Sequence, residues 1–434
     1  MLSNYSCPAT PSSLLTTTTT SATCARLHYL LSGTFNTVFL YLLAFSPYTN
    51  PPTLQIYRKY RAEGPHQFLA LNEARDRVYA TTWAQPPSLS SWKVLGQGRD
   101  GIQKINTVQI SSTGSYLSVI PSRLSSSLDI KESRLYQAGG PVAQCFSLST
   151  TGAIEKELQE VVYLAGGVEE LWSDTTDRTR VALRYGSHAI DIDPILKRAY
   201  VPHVGRDSIF VYSFKQDGTL QELAEIPTFG DKGHEGPRHS VPSRDGTKLY
   251  VVTEHTSFLD VYNVETDSPY LRHSQRLSVI PSSLDSARKQ YRGDTLRISR
   301  DGKRLYVTTR GKTVAEKGFI SVWELDADGS VVESTAFSSE RSGYRALHRY
   351  ETETSGGKAN AIEVFPFESA IDGEEQLSRD WLVLTDDEQG FVTVLEWNEK
   401  KSELSEMARV QLGTQQGART DEIGTGASHA VWLN

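Results

Sequence analysis

The chain has 434 residues, of which 38% are hydrophobic, and its formal net charge is −7. The acidic balance gives no basic footprint for nucleic acid, so an anionic ligand would have to be attracted by a local cluster of cations. Tyrosine (20 residues) outnumbers phenylalanine (14), and methionine occurs twice, which suits many short, half-buried strands better than long helices. We therefore expect a soluble, mostly β protein.

The three cysteines, Cys7, Cys24 and Cys145, are odd in number and widely spaced. This pattern favours neither a disulfide framework nor a zinc site. We therefore predict a reducing, cytoplasmic compartment and no bound metal.

The N-terminal residues 1–24 contain the Ser/Thr-rich stretch PSSLLTTTTTSATC and show no hydrophobic periodicity. We predict a disordered tail there and a single folded domain from 25 to 434. The next segment, HYLLSGTFNTVFLYLLAF from His28, is interrupted by polar residues, and its uninterrupted apolar part is too short to span a membrane. We predict that this segment forms two buried strands and that the protein has no membrane partner.

One pattern recurs along the rest of the chain and predicts a repeat architecture. Each copy has a short strand, a turn, a second strand ending in Leu-Tyr-Val or a variant, and a further strand containing Val-Tyr or Val-Trp. The copies begin at irregular intervals of about 40 to 80 residues, which indicates loops of different lengths. They start at His66, Asn106, His188, Arg238, Asp294 and Asn360, the last with an insertion between its first two strands.

Four antiparallel strands per repeat are typical of a β-propeller blade. The terminal HAVWLN has the pattern of a first blade strand, and the N-terminal LHYLLSGT has the pattern of a second. We therefore predict an all-β, seven-bladed propeller in which the N- and C-terminal strands pair in one blade. Two β-sandwich domains in tandem would supply the same strands, but not the recurring unit or the complementary ends.

Charged residues occur at the open end of a predicted hairpin whose turn signal is Asp245-Gly246. Arg238 and Glu254 are about equally far from this turn, and antiparallel strands bring such residues side by side. The same counting places His188 opposite the region of Pro202, and Arg292 or Gly293 opposite Arg310. Because the open ends of blade hairpins share one face around the central channel, we expect these side chains in one cavity.

These residue types fit chemistry on a small polycarboxylate. The planar forks of arginines bind carboxylates and stabilise developing negative charge, and His188 or Glu254 could supply a proton. Structural interpretations are also open: Arg238 and Glu254 could form a simple ion pair, and Arg292 could pair with Asp294. Asp386 and Asp387 are interpreted as turn-shaping carboxylates.

Five stretches resemble the fungal 3-carboxy-cis,cis-muconate cyclase family: GPRHSVPSRDGTKLYVVTEH, QYRGDTLRISRDGKRLYVTTRG, GGKANAIEVFPF, WLVLTDDEQGFVTVLEW and HAVWLN. The similarity runs from about His28 to the C-terminus. The resemblance implies a seven-bladed, lactonase-like propeller that acts as a cofactor-free cycloisomerase in the protocatechuate branch of aromatic catabolism. It also implies catalytic roles for four residues whose types are retained: His188, Arg238, Glu254 and Arg310.

The chain departs from the family pattern at several positions. Lys358 stands where the family has a histidine after two glycines, and His239 stands where it has a tryptophan after Pro-Arg. The segment 99–106 does not reproduce the family's His-Pro-Arg element, and 158–185 differs in length and content. We expect Arg292, His239 and Lys358 to contribute to substrate binding, with the exact substrate left open.

Two other functions compete with the cycloisomerase. A sugar-lactone hydrolase of the same propeller group would also use arginines, but it needs a positioned water and a base. A non-catalytic propeller that binds proteins is a third possibility, because fold does not determine function. The sequence leaves open whether the chain forms a homo-oligomer.

Overall fold

A computed structural model describes residues 27–130, 132–230, 234–333, 346–366, 380–413 and 424–434. In these residues, seven four-stranded antiparallel sheets form the blades of a β-propeller. The predicted tail at residues 1–24 lies outside the described residues. None of the helices in the described ranges is long and apolar enough to cross a membrane.

The blades are numbered in chain order. Blade 1 contains β1 (His28–Thr34), β2 (Phe39–Ser46), β3 (Thr53–Arg61) and, as its innermost strand, β28 (Ala427–Trp432). Blade 2 contains β4 (Leu69–Leu71), β5 (Arg77–Thr82), β6 (Ser88–Leu95) and β7 (Gly101–Gln109). Blade 3 contains β8 (Tyr116–Val119), β9 (Arg134–Gly139), β10 (Val142–Leu148) and β11 (Ile154–Val162). Blade 4 contains β12 (Asp191–Asp193), β13 (Arg198–His203), β14 (Ser208–Phe214) and β15 (Leu220–Pro227).

The remaining blades follow the same order from the channel outwards. Blade 5 contains β16 (Pro237–Pro242), β17 (Lys248–Thr253), β18 (Phe258–Val264) and β19 (Leu271–Ser278). Blade 6 contains β20 (Tyr291–Ile298), β21 (Arg304–Gly311), β22 (Phe319–Glu324) and β23 (His348–Glu351). Blade 7 contains β24 (Ile362–Val364), β25 (Asp380–Thr385), β26 (Phe391–Asn398) and β27 (Glu403–Gln411). Short helices occur in the connections: α1 (Ser122–Ser127), α2 (Gly167–Leu171) and 3-10 turns at Gly96–Gly98, Ala182–Arg184, Val204–Arg206 and Ser282–Gln290.

The two ends of the propeller meet in blade 1, as predicted. Strand β28 pairs antiparallel with β1, with Leu30 opposite Trp432 and Ser32 opposite Ala430. The backbone N–H of Tyr29 also donates to the side-chain oxygen of Asn434 at 2.6 Å. The hairpin β1–β2 is almost entirely buried, which confirms the two buried strands predicted for this apolar segment.

One repeat boundary predicted from the sequence is wrong. The copy expected to start at Asn106 begins within β7, the outermost strand of blade 2, and the innermost strand of blade 3 starts only at Tyr116. The second strand of blade 3 is β9, which contains the Leu-Tyr pair of Leu135 and Tyr136. Helix α1 and its flanking loop separate β8 from β9, so the usual close spacing of these two strands was not recognisable.

The innermost strands define the two mouths of the central channel. The starts of β16, β20 and β28 contribute Arg238, Asp294 and Ser428 to one small cavity. The ends of β8, β16 and β28 line a larger cavity. All innermost strands run in the same direction along the channel. We call the mouth where these strands begin the start mouth and the mouth where they end the end mouth.

Candidate active site

Arg238 and Glu254 lie together at the start mouth, as hairpin counting predicted. Pro237 pairs with Thr253, and the register then shifts by one residue so that His239 pairs with Val252. This bulge leaves Arg238 outside the regular pairing. Its Nε lies 3.5 Å from Oε2 of Glu254, and both side chains are buried.

The next blade adds two arginines to the same carboxylate. Arg292 and Arg310 are cross-strand partners in blade 6, which confirms the predicted pairing. Oε1 of Glu254 accepts a hydrogen bond from Nη1 of Arg292 at 3.1 Å and from Nη2 of Arg310 at 3.0 Å. The blades can approach this closely because residue 293 is glycine: a Cβ there would lie 2.2 Å from the carbonyl oxygen of Thr253.

Asp294 is a central member of the site that the sequence did not single out as functional. Its Oδ1 lies 2.9 Å from Nη2 of Arg238 and 3.6 Å from Nε of Arg310. Its Oδ2 accepts the backbone N–H of Asn360 in the connection to blade 7 at 2.7 Å. Asp294 therefore ties blades 5, 6 and 7 together. From the sequence, Asp294 was identified only as a possible partner of Arg292. In the structure, Arg292 contacts Glu254 instead.

The site is less cationic than the sequence suggested, because three guanidinium groups face two carboxylates and leave a formal charge of +1. Burial alone would raise the pKa of Glu254, but the charges of Arg310 and Arg238 outweigh burial and lower it to about 2. Glu254 is therefore ionised at neutral pH. Its negative charge holds the three arginines in place without any other anion.

His188 and His239 extend the site into the channel. The backbone N–H of His188 donates to the carbonyl oxygen of Pro202 at 3.0 Å, which confirms the position predicted from the hairpin. The two imidazole rings lie 5.3 Å apart, and Nε2 of His239 lies 3.2 Å from Nη1 of Arg238. The structure thus brings His188, His239, Arg238, Arg310, Arg292 and Glu254 into one connected cluster.

Both histidines are buried and neutral near pH 7. Burial, followed by the charge of Arg238, lowers the pKa of His188 to about 3. The same two causes, in the same order, lower the pKa of His239 well below its ordinary value. Nδ1 of His188 is buried and has no hydrogen-bond partner among the described residues.

Lys358 is directed to a different partner. Its Nζ lies 2.9 Å from both carboxylate oxygens of Asp387, and it also approaches Oδ1 of Asn36 at 3.3 Å. The neighbouring residue Gly357 contributes only its carbonyl oxygen, 3.3 Å from Nη1 of Arg310. Lys358 therefore lies beside the arginine cluster without joining it.

Of the two segments that depart from the family pattern, one lies away from the channel and the other reaches the start mouth. Most of 99–106 belongs to β7, the outermost strand of blade 2, and therefore lies away from the channel. The segment 158–185 carries Arg180, whose guanidinium lies 5.3 Å from the ring centre of Trp83. Trp83 in turn packs on Phe35, which lines the cavity at the start mouth with Arg238. Arg180 is thus a cation of this mouth that the sequence did not identify.

The start mouth is tightly packed. The cavity bounded by Arg238, His239 and Asp294 has a volume of only about 10 Å³, whereas a cavity of about 590 Å³ lies at the end mouth. We place the candidate active site at the start mouth because the arginines and His188 converge there. Arg292, with 30% of its side chain exposed, is the most exposed of the three arginines.

The chain is similar to several fungal and bacterial proteins. It is 28% identical over 375 residues to "Muconate cycloisomerase 1" of Cutaneotrichosporon cutaneum, covering 86% of this chain and 91% of that protein. It is 24% identical to "Carboxy-cis,cis-muconate cyclase" of Neurospora crassa, over 67% of this chain and 66% of that protein. It is 30% identical to a "6-phosphogluconolactonase" of an Enterobacter species, but over 35% of this chain and 43% of that protein.

Solved structures share the fold. A periplasmic gluconolactonase of Pseudomonas aeruginosa matches with a TM-score of 0.68 at 17% identity, over 94% of this chain and 99% of that one. Residues 40–354 match the family model described as "Lactonase, 7-bladed beta-propeller". The matched segment is more than half of the chain and contains His188 and the Arg238–Arg310 cluster. This chain is therefore a member of the seven-bladed lactonase β-propeller family.

Proposed function

We propose that the protein is a cofactor-free cycloisomerase that interconverts 3-carboxy-cis,cis-muconate, or a related polycarboxylate, and its lactone. The observation that carries the proposal is the cluster of Arg238, Arg292 and Arg310 around Glu254, with His188 beside it. Support also comes from the names of two relatives, which refer to muconate cyclisation. The family itself is named for lactone chemistry.

Binding would begin at the two arginines of blade 6. Arg292 and Arg310 both contact one oxygen of Glu254, and both side chains are partly exposed. A substrate carboxylate can share their remaining N–H groups, because each guanidinium carries five donors in a fixed plane. The surplus positive charge of the cluster favours a polyanion, and Arg238 beneath them stays fixed by Asp294.

Ring closure adds one substrate carboxylate oxygen to a carbon of a conjugated double bond. The new C–O bond uses an oxygen lone pair, and the π electrons move towards the adjacent carbon and its own carboxylate. This carboxylate then carries enolate-like negative charge, which an arginine held in advance stabilises more in the transition state than in the ground state. A proton added to the adjacent carbon completes the lactone, so no atom leaves and no water is consumed.

We assign the proton transfer to His188 rather than to Glu254. A carboxyl whose pKa is about 2 has no proton to give at neutral pH, so Glu254 acts by orienting the arginines. His188 is neutral in the free protein, but a bound polyanion raises its pKa because nearby negative charge favours the imidazolium form. Its unpartnered Nδ1 provides the atom that exchanges the proton.

The test is to incubate the purified protein with 3-carboxy-cis,cis-muconate and follow the loss of the conjugated diene absorbance. The reaction is repeated in D₂O and in H₂¹⁸O, with 6-phosphogluconolactone as the parallel substrate. The cycloisomerase places one deuterium on carbon and no ¹⁸O in the lactone. Hydrolysis of the phosphogluconolactone alone, with ¹⁸O in the product, would assign the protein to the sugar-lactone hydrolases.

The variants Arg310→Ala and Arg272→Ala separate the site from general charge effects. Arg310 contacts Glu254, whereas Arg272 lies on an outer strand with 64% of its side chain exposed. We expect Arg310→Ala to lose activity and Arg272→Ala to keep it. No turnover of either substrate by the unmodified protein would contradict the proposal and leave a binding propeller.

A further inference from the structure

A cavity lies at the end mouth of the channel, away from the candidate active site. Its volume, about 590 Å³, falls in the range of small-molecule sites, roughly 300–1,000 Å³. The ends of the innermost strands supply mostly apolar walls. These include Leu69, Leu71, Leu117, Val119, Ile192 and Val431.

An aromatic stack separates this cavity from the start mouth. The ring of Phe68 lies between Tyr116, at 4.1 Å, and His429, at 4.0 Å, and is parallel to both within 29° and 16°. His239 closes the edge of this stack, with its ring 5.1 Å from Tyr116. Phe68 borders both cavities. The end mouth is therefore a separate compartment with its own wall.

The charged groups of the end mouth leave more donors than acceptors. Nε of Arg297 donates to Glu363 at 2.9 Å, and its Nη1 donates to the carbonyl oxygen of Leu296 at 2.8 Å. Its Nη2 makes no hydrogen bond within the described ranges. Nη2 of Arg244 donates to the carbonyl oxygen of Ser299 at 3.2 Å and to that of Arg300. Nε and Nη1 of Arg244 have no partner in the described part of the chain.

Both carboxylates of the end mouth already accept hydrogen bonds. The two carboxylate oxygens of Asp191 accept hydrogen bonds from Tyr116 and Ser240, each at 2.8 Å. Oε2 of Glu363 accepts from Arg297. Burial raises the pKa of Asp191 to about 6, against the opposing effect of these hydroxyl groups. Half or less of a full negative charge is thus present on Asp191 at mildly acid pH.

We propose that the end mouth binds a small organic anion with an apolar body and a single carboxylate. The carboxylate contacts the exposed Arg244 and the largely buried Arg297, whose side chain is 13% exposed, and the body fills the space between the leucine, valine and isoleucine walls. An apolar body gains from leaving water, and arginine supplies charge-assisted hydrogen bonds to the carboxylate. This site does not depend on the reaction proposed for the start mouth.

The experiment uses 2-naphthoate as the probe and 2-naphthamide as its neutral counterpart, each titrated into the full-length protein by calorimetry and fluorescence. We expect saturable binding of 2-naphthoate with one site, and at least tenfold weaker binding of the amide, because the amide lacks the charge. Equal binding of both probes, or no binding of 2-naphthoate, would overturn the proposal.

Variants locate the binding. Arg244→Gln, at an exposed rim position, should weaken 2-naphthoate binding about tenfold or more. Val119→Trp should weaken it by placing a bulky ring in the cavity. Arg310→Gln, at the start mouth, and Arg272→Gln, on an outer strand, should bind as the unmodified protein does. Loss of binding in Arg310→Gln with retention in Val119→Trp would place the probe at the start mouth and overturn the assignment.

Discussion

The two mouths of the channel differ in their charged groups and in their cavity volume. The start mouth has three arginines paired with two buried carboxylates and a cavity of about 10 Å³. The end mouth has a cavity of about 590 Å³ with mostly apolar walls, and Arg244 is the exposed cation among its charged residues. Both are built from the same seven innermost strands, one from their first residues and the other from their last.

This difference shows how a propeller can pair buried charges across its blades. At the start mouth, each arginine meets a carboxylate of its own blade or of a neighbouring blade, so the attraction within these pairs offsets part of the desolvation cost. Such fixed charges are what electrostatic catalysis requires, because they need no reorganisation during the reaction. The end mouth lacks this dense pairing and offers room for a ligand instead.

The largest expected effect is on turnover, at the start mouth. His188→Gln removes the group assigned to proton transfer but keeps a side chain of similar length. We expect kcat to fall by about a hundredfold to ten-thousandfold, the usual contribution of general acid–base catalysis, with little change in KM. Steady-state kinetics with 3-carboxy-cis,cis-muconate measure both. A change in KM alone would assign His188 to binding.

The second effect is on stability. Arg238→Ala leaves Asp294, which is fully buried, without its nearest cation, and removing one partner of a buried pair costs about 3–5 kcal/mol. Urea denaturation should show this loss, whereas Arg272→Ala on the outer strand should change stability little. Arg238→Lys keeps the charge without the planar fork. Arg238→Lys should therefore lose less stability than Arg238→Ala. If Arg238→Ala were as stable as the unmodified protein, the pairing of Arg238 with Asp294 would be contradicted.

The third effect depends on pH. Burial and Arg238 hold the folded-state pKa of His188 at about 3, below the ordinary 6.5. Between these values the unfolded chain binds this proton and the folded protein does not, so stability present above pH 6.5 is lost as the pH falls towards 3.

The variant His188→Gln should therefore lose stability less steeply on acidification, by up to about 1.4 kcal/mol per pH unit. Urea titrations of both proteins between pH 7 and pH 4 test this. His239, Arg238, Glu254 and Arg310 surround His188 and are unchanged in the comparison. Parallel pH curves for the two proteins would show that His188 does not stay neutral.

The smallest effect is expected at Lys358. Its Nζ pairs with Asp387 and 40% of its side chain is exposed, and pairs of this kind contribute about 0–1 kcal/mol. Lys358→Met should lower kcat/KM by no more than about threefold. A fall in kcat/KM of more than a hundredfold would show that Lys358 contacts the substrate and belongs to the start-mouth site.

The sequence was sufficient for those parts of the site that lie within one hairpin. The turn at Asp245-Gly246 fixes which residues face each other, so the meeting of Arg238 with Glu254 could be counted. The same holds for Arg292 and Arg310. Seven blades followed from the repeats and the complementary chain ends, although helix α1 concealed the true start of blade 3.

Contacts between blades could not be predicted in this way. Asp294 reaches Arg238 in blade 5 because of how two sheets pack and twist, and no turn or periodicity encodes that distance. Lys358 has an exposed, flexible side chain that selects among neighbouring acceptors, and it pairs with Asp387. The volume at the end mouth depends on the radius of the whole ring, which a repeat pattern does not specify.

The closure of blade 1 has a consequence for the order of assembly. Ribosomes synthesise a protein from its N-terminus, so β28 leaves the ribosome after the other strands of the seven described blades. Until then, β1 presents an unpaired edge towards the channel. The contact between Tyr29 and Asn434 spans 405 residues, and contacts of such long sequence separation form slowly. His429 and Val431, carried by β28, line the start and end mouths respectively. Nascent chains should therefore lack both completed mouths until this strand docks.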